Sequence, residues 1–171
     1  MTPFVAAHIE EILVALAGVA VVAVTGGLMT DVGPWYESLR FPRLRPPNWL
    51  FGPAWTLIFA LIATAGVIAW DAAPDAGARR TLIALFVLNG LLNLGWSPLF
   101  FKLKRPDWAI IEVIPFWLSI LALLLFAAPF SPTAAWLLAP YLAWVTFATW
   151  LNWRIVQLNA PFGRAADLRR R

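Results

Sequence analysis

The sequence predicts an all-α polytopic membrane protein, a bundle of five transmembrane helices. Three observations lead there. Hydrophobic residues fill 61% of the 171 positions and charged residues only 13%, where a water-exposed domain carries roughly a quarter charged. Four stretches, 12–30, 49–70, 81–101 and 113–153, contain no charged residue at all. The basic residues gather in short segments between and after those stretches.

Each element follows from these runs. About 20 helical residues rise ~30 Å, the thickness of a bilayer's hydrocarbon core. The first run predicts a helix near 10–30, the second one near 49–70, the third one near 81–101. The last run, 41 residues, is too long for one span. Its turn-like Ala-Pro-Phe-Ser-Pro segment, 128–132, divides it into helices near 108–128 and 133–158. Only the first connection, 31–48, is long, so residues 1–171 read as a single membrane domain. The N-terminal segment lacks a basic stretch and carries Glu10 and Glu11, which predicts a retained first span, not a cleaved signal peptide. The absence of cysteine excludes disulfides.

Charge placement predicts orientation. Arg40, Arg43 and Arg45 lie in the first loop, Lys102, Lys104 and Arg105 in the third, and Arg154, Arg164, Arg169, Arg170 and Arg171 in the tail. The opposite face has only Arg79 and Arg80. The positive-inside rule then puts the N-terminus outside and the C-terminus in the cytoplasm, with a bacterial membrane as the expected host. Charges bordering a membrane are a topology signal and argue against a nucleic-acid partner. The lipid bilayer is the expected partner of that basic face.

Eleven tryptophans are present. Trp35, Trp49, Trp70, Trp108, Trp136 and Trp153 fall near span ends, where indoles anchor at headgroups. Others lie deeper and form helical stripes: Trp55, Phe59 and Ile62 on the second span; Asn89, Asn93, Trp96 and Phe100 on the third; Trp144, Ala148 and Leu151 on the fifth. An amide facing hydrocarbon is costly unless paired, so Asn89 and Asn93 are expected to face inward. That pattern fits hydrogen-bond glue between helices, and it equally fits an aromatic cavity with polar handles. The first loop is stiffened by Pro42, Pro46 and Pro47. It suits a lid over the cytoplasmic mouth of the bundle. Its arginines Arg40, Arg43 and Arg45 suit either an anionic ligand at the rim or lipid phosphates. Glu112 reads as an interfacial or snorkelling acid, and no ligand set for a metal is apparent.

W-Y-x2-L-x2-P-x3-P-P-x-W-x-F-x-P-x-W spans Trp35 to Trp55. L-N-x2-W-x-P-x-F-F spans Leu92 to Phe101, and P-Y-L-x-W with F-A-T-x-L-N runs from Pro140 to Asn152. These motifs resemble those of the TspO/MBR family of tryptophan-rich sensory proteins and translocator proteins. The resemblance implies a five-helix bundle, often a homodimer, that binds porphyrins such as protoporphyrin IX and related flat apolar ligands. Ligand-contacting positions carry over to Tyr36, Pro46, Trp55, Phe59, Asn93, Trp144, Ala148 and Leu151. Asn89 stands where relatives often have Gln. The family's sterol motif is not met near the fifth span, because Trp153 replaces its tyrosine.

Transport or sensing of tetrapyrroles is the function so implied, with no cofactor required and porphyrin or haem as ligand. Haem would lack its usual axial ligands, since His8 is expected at the far membrane face. The competing reading is a light- and oxygen-dependent porphyrin-degrading enzyme, with Trp55 and Trp144 as the matching residues. Conventional acid–base groups are missing from the inward stripes.

Overall fold

A computed structural model describes residues 6–163. Arg164, Arg169, Arg170 and Arg171, part of the charge count above, lie outside the described residues. Five long helices, each long and apolar enough to cross a membrane, account for most of the chain, and the described residues contain no strand. They are α1 (Ile9–Met29), α3 (Asn48–Ala72), α4 (Ala76–Ser97), α5 (Pro106–Ala127) and α6 (Pro132–Asn159). The short α2 (Pro34–Glu37) lies in the first loop. The fold is all-α and the protein is an integral, multi-pass membrane protein.

Local chemistry places the helix ends. Pro34, Pro106 and Pro132 open α2, α5 and α6, where the missing N–H removes nothing the helix would use. The start of α4 differs from the expectation, because it begins five residues earlier than the uncharged run. The Asp75 carboxylate accepts a hydrogen bond from the Ala78 N–H at 2.8 Å and caps the helix. Arg79 and Arg80 therefore lie in its opening turns, with the Arg79 guanidinium 5.1 Å from the Trp70 ring centre. At the other end Pro98 offers no N–H, and the third span continues as a π-helical turn, Pro98–Lys102. There the Leu103 N–H donates to the Pro98 carbonyl at 2.9 Å.

In space the spans form a closed ring: α1 packs on α3 and α4, α3 on α6, α6 on α5, and α5 on α4. The buried centre comes from α3, α5 and α6, with Ile62, Ile120, Leu123, Leu138 and Tyr141 among its members. None of the residues of α1 is buried. Its Val14 and Leu28 point outward, as lipid-facing side chains do once hydrocarbon replaces water as the solvent. Small residues set the close approaches: a Cβ at Gly90 would meet Val22 of α1 at 3.5 Å, and one at Gly66 would meet Phe86 at 3.6 Å. His8 and Asp71, at the ends of α1 and α3 that share a face, meet at 3.0 Å. Trp49, Trp108, Trp136 and Trp153 are exposed near span ends, the setting of interfacial anchors.

Candidate functional site

The amides of α4 converge on one buried hydroxyl. Tyr141, on α6, is 1% exposed; its O–H donates to Asn89 Oδ1 at 3.1 Å and accepts from Asn93 Nδ2 at 3.0 Å. Asn89 Nδ2 donates to Ser119 Oγ of α5 at 2.8 Å, and Ser119 in turn donates to the Phe116 carbonyl at 2.7 Å. Three spans are thereby joined through hydrogen-bonded polar side chains. Buried hydrogen bonds of this kind resist separation, since a broken one leaves a dipole in a low-dielectric interior. Asn89 thus spends both ends of its amide on the scaffold. Asn93 lies at the less buried edge of the network.

Aromatic rings surround this hub. The Trp55 indole stacks on Phe59 at 5.3 Å and meets Tyr141 edge-on at 6.2 Å. Trp144 meets Phe51 at 5.8 Å and Phe147 at 6.1 Å. The spacings and angles are those that aromatic quadrupoles favour. Trp55, Phe59, Asn89, Asn93 and Trp144 therefore gather around the Tyr141 end of the bundle. Tyr36 and Leu151 belong to a second apolar cluster under the first loop, with Phe100, Phe101, Ala109 and Ile155. Trp96 packs against both clusters and links them. Ala148, on α6 between Trp144 and Leu151, and Pro46, in the loop, are half-buried.

The first loop is held down at several points. Tyr36 is buried against Phe41 at 5.0 Å and Phe101 at 5.6 Å. Burial raises its phenol above the ordinary value, against the smaller opposing pull of the Arg45 charge. Arg45 is folded inward: its guanidinium lies 3.8 Å from the Phe41 ring centre and donates to Asn48 Oδ1 at 2.6 Å. Arg40 and Arg43 are exposed. Asn159, the last residue of α6, clips the loop by accepting from the Arg40 N–H and donating to the Arg40 carbonyl, both at 2.8 Å.

Two grooves of about 400 Å³ are open. One lies between the loop and the end of α6; the other is on the outer face of α5 and α6, beside Trp117 and Thr146. Neither is lined by Trp55, Asn93 or Trp144. Glu112 departs from the snorkelling expectation: its carboxyl oxygens are enclosed and have no hydrogen-bond partner among the described residues. The notch is supplied by Gly95, whose missing side chain would sit 3.4 Å from Glu112 Oε1.

Several contributors were not among the candidate ligand-contacting residues, although Phe51, Tyr141 and Asn152 fall within the quoted motifs. Tyr141 lies three residues before Trp144 and Phe51 four before Trp55, so extending those stripes by one helical turn would have included both. Ser119 is a lone hydroxyl on an apolar helix and gives no such signal. Asn152 is also buried. With its amide oriented to suit its neighbours, it donates to the Pro106 carbonyl at 3.2 Å and accepts from the Ile110 N–H at 3.1 Å, tying α6 to the start of α5.

The ring of five spans, the amide–tyrosine hub and the aromatic shell under a pinned proline-rich loop define a polytopic membrane protein with a polar-centred aromatic interior. Residues 13–158 match the TspO/MBR family, and the chain belongs to it. It is 37% identical to the tryptophan-rich protein TspO of Chlorobaculum tepidum over 73% of this chain and 79% of that one. It is 34% identical to the tryptophan-rich protein TspO of Archaeoglobus fulgidus over 90% of this chain and 99% of that one. It is 31% identical to the human translocator protein over 73% and 75%.

Proposed function

We propose that the protein binds a flat, apolar tetrapyrrole such as protoporphyrin IX between α3 and α6, and senses or transports it in the membrane. The observation that carries this is the convergence of Trp55 and Trp144 from those two spans beside the Asn93–Tyr141 dipoles. The ring contacts now made among Trp55, Phe59, Phe51 and Trp144 are each worth ~0.5–1.5 kcal/mol beyond area burial. A macrocycle sliding between them replaces ring–ring contacts with ring–macrocycle contacts of the same kind, so opening the shell costs little net stacking. The Asn93 amide supplies a donor for the macrocycle's polar edge, and the exposed Arg40 of the loop one for its carboxylates. Relatives named translocator protein and tryptophan-rich sensory protein support the transport and sensing parts. The basic asymmetry supports a cytoplasmic first loop.

The test is a fluorescence-quench titration of the purified protein with protoporphyrin IX. Trp55→Ala and Trp144→Ala should each weaken binding by about 1 kcal/mol or more. Trp70→Ala, a span-end residue, should leave affinity nearly unchanged. Equal losses for all three would contradict the proposed site.

A further inference from the structure

The groove of about 410 Å³ between the first loop and the end of α6 is not used by the proposed function. Its walls are unlike those of the interior site. Trp150, Arg154 and Leu158 recur at four-residue intervals and form one face of α6, while Phe41, Arg43 and Leu44 face them from the loop. The lining includes two guanidinium groups and no carboxylate. Neither arginine has an ion-pair partner among the described residues; the ion pairs there are His8–Asp71 and Arg105–Asp107. The Arg154 guanidinium touches only neutral groups, donating to Gln157 Oε1 at 2.5 Å and lying 5.8 Å from the Trp153 ring centre. An apolar trough with two uncompensated cations, placed where a span leaves the hydrocarbon, has the polarity profile of an anionic lipid.

We propose that this groove is a binding site for an anionic membrane phospholipid. Its phosphate is held between Arg43 and Arg154, and the upper part of one acyl chain lies along Trp150 and Leu158. A free inorganic anion would use the arginines and leave the apolar wall uncovered. A zwitterionic lipid would bring a cation to a place with no acid to receive it. The Asn159 clip fixes the loop side of the groove, because it sets Arg40, and with it Arg43, against the end of α6. The lipid would then brace the loop on its outer side.

The test uses the full-length protein in phosphatidylcholine nanodiscs containing lipids brominated near the top of one acyl chain. The Trp150 signal is the quenching of wild type minus that of Trp150→Phe. Half-maximal quenching of that signal should need about tenfold less brominated phosphatidylglycerol than brominated phosphatidylcholine, given two arginines near the surface. The preference should collapse in Arg43→Gln/Arg154→Gln, which keeps Trp150. It should persist in Arg40→Gln, which removes a loop charge outside the groove. Equal quenching by the two lipids overturns the proposal, as does a preference that survives the double variant or vanishes in Arg40→Gln. Loss of the preference on adding inorganic phosphate at constant ionic strength would make the groove a simple anion site and would overturn the lipid assignment.

Discussion

Replacing Asn159 with alanine should release the first loop while leaving the aromatic interior untouched. The side chain makes two hydrogen bonds to the Arg40 backbone, both at 2.8 Å, and one to the Ile155 carbonyl of its own helix. A hydrogen bond contributes a net ~0.5–1.5 kcal/mol, so the two to Arg40 amount to about 1–3 kcal/mol. Both face water at the edge of the bundle, which favours the lower part of that range, about 1–2 kcal/mol. If the loop must lift for a ligand to leave, dissociation should accelerate by about 5–30-fold. Association should change little, since none of the charged side chains that draw in an anion is altered. Stopped-flow displacement of protoporphyrin IX gives the rate, and hydrogen exchange at the Arg40 amide reports the clip itself. Asn159→Asp, which retains the acceptor and loses the donor, should fall between. An Arg40 amide that exchanges freely in Asn159→Ala while dissociation stays at the wild-type rate would show that the loop does not gate the site.

Three further outcomes are expected. Tyr141→Phe leaves Asn89 Oδ1 and Asn93 Nδ2 without their partner, so thermal unfolding in detergent should show a loss of about 1–3 kcal/mol; an unchanged transition would remove the hub from the account. The Tyr36 phenol, isolated as the absorbance difference between wild type and Tyr36→Phe, should titrate above its ordinary value of 10.0 because burial disfavours the phenolate. Its contribution to stability is complete below that value and declines as pH rises beyond it, so loop protection should fall on the alkaline side; titration at or below 10.0 would contradict the burial. The chain has no cysteine, so Ala76→Cys and Lys104→Cys can be labelled singly. The first should react from outside and the second from the cytoplasm; labelling of both from one side would contradict the topology.

Much of the fold was legible because a membrane forces backbone hydrogen bonding inside each span, and charge-free runs therefore map onto helices. The misplaced start of α4 shows the rule's limit. Arg79 and Arg80 interrupt the run, yet a helix end can carry cations outward along their apolar stems, and the Asp75 cap decides where the helix begins. The π-helical turn was invisible, since Pro98 is compatible with a kink, a break or a change of winding. At the candidate site, periodicity placed Asn89 and Asn93 on one face with Trp96. It could not say which partner from another span would meet them, so the hydrogen-bonding roles of Tyr141, marked only as a motif residue, and of Ser119 emerge only in three dimensions. The loop was the least legible part. Arg45 turns onto Phe41 while Arg43 stays exposed, and no periodic pattern distinguishes two arginines two residues apart in a loop.

The position of the ligand can be read from photochemistry. Protoporphyrin IX generates singlet oxygen under light, and the nearest indoles oxidise first, so peptide mass spectrometry after brief illumination of the complex reports proximity. Trp136 and Trp49 are the most open indoles, 78% and 70% exposed, whereas Trp55 and Trp144 are partly buried. A ligand held between α3 and α6 should oxidise Trp55 and Trp144 ahead of Trp136 and Trp49, against the order of exposure. Oxidation that follows exposure, with Trp136 and Trp49 first, would contradict an interior tetrapyrrole site.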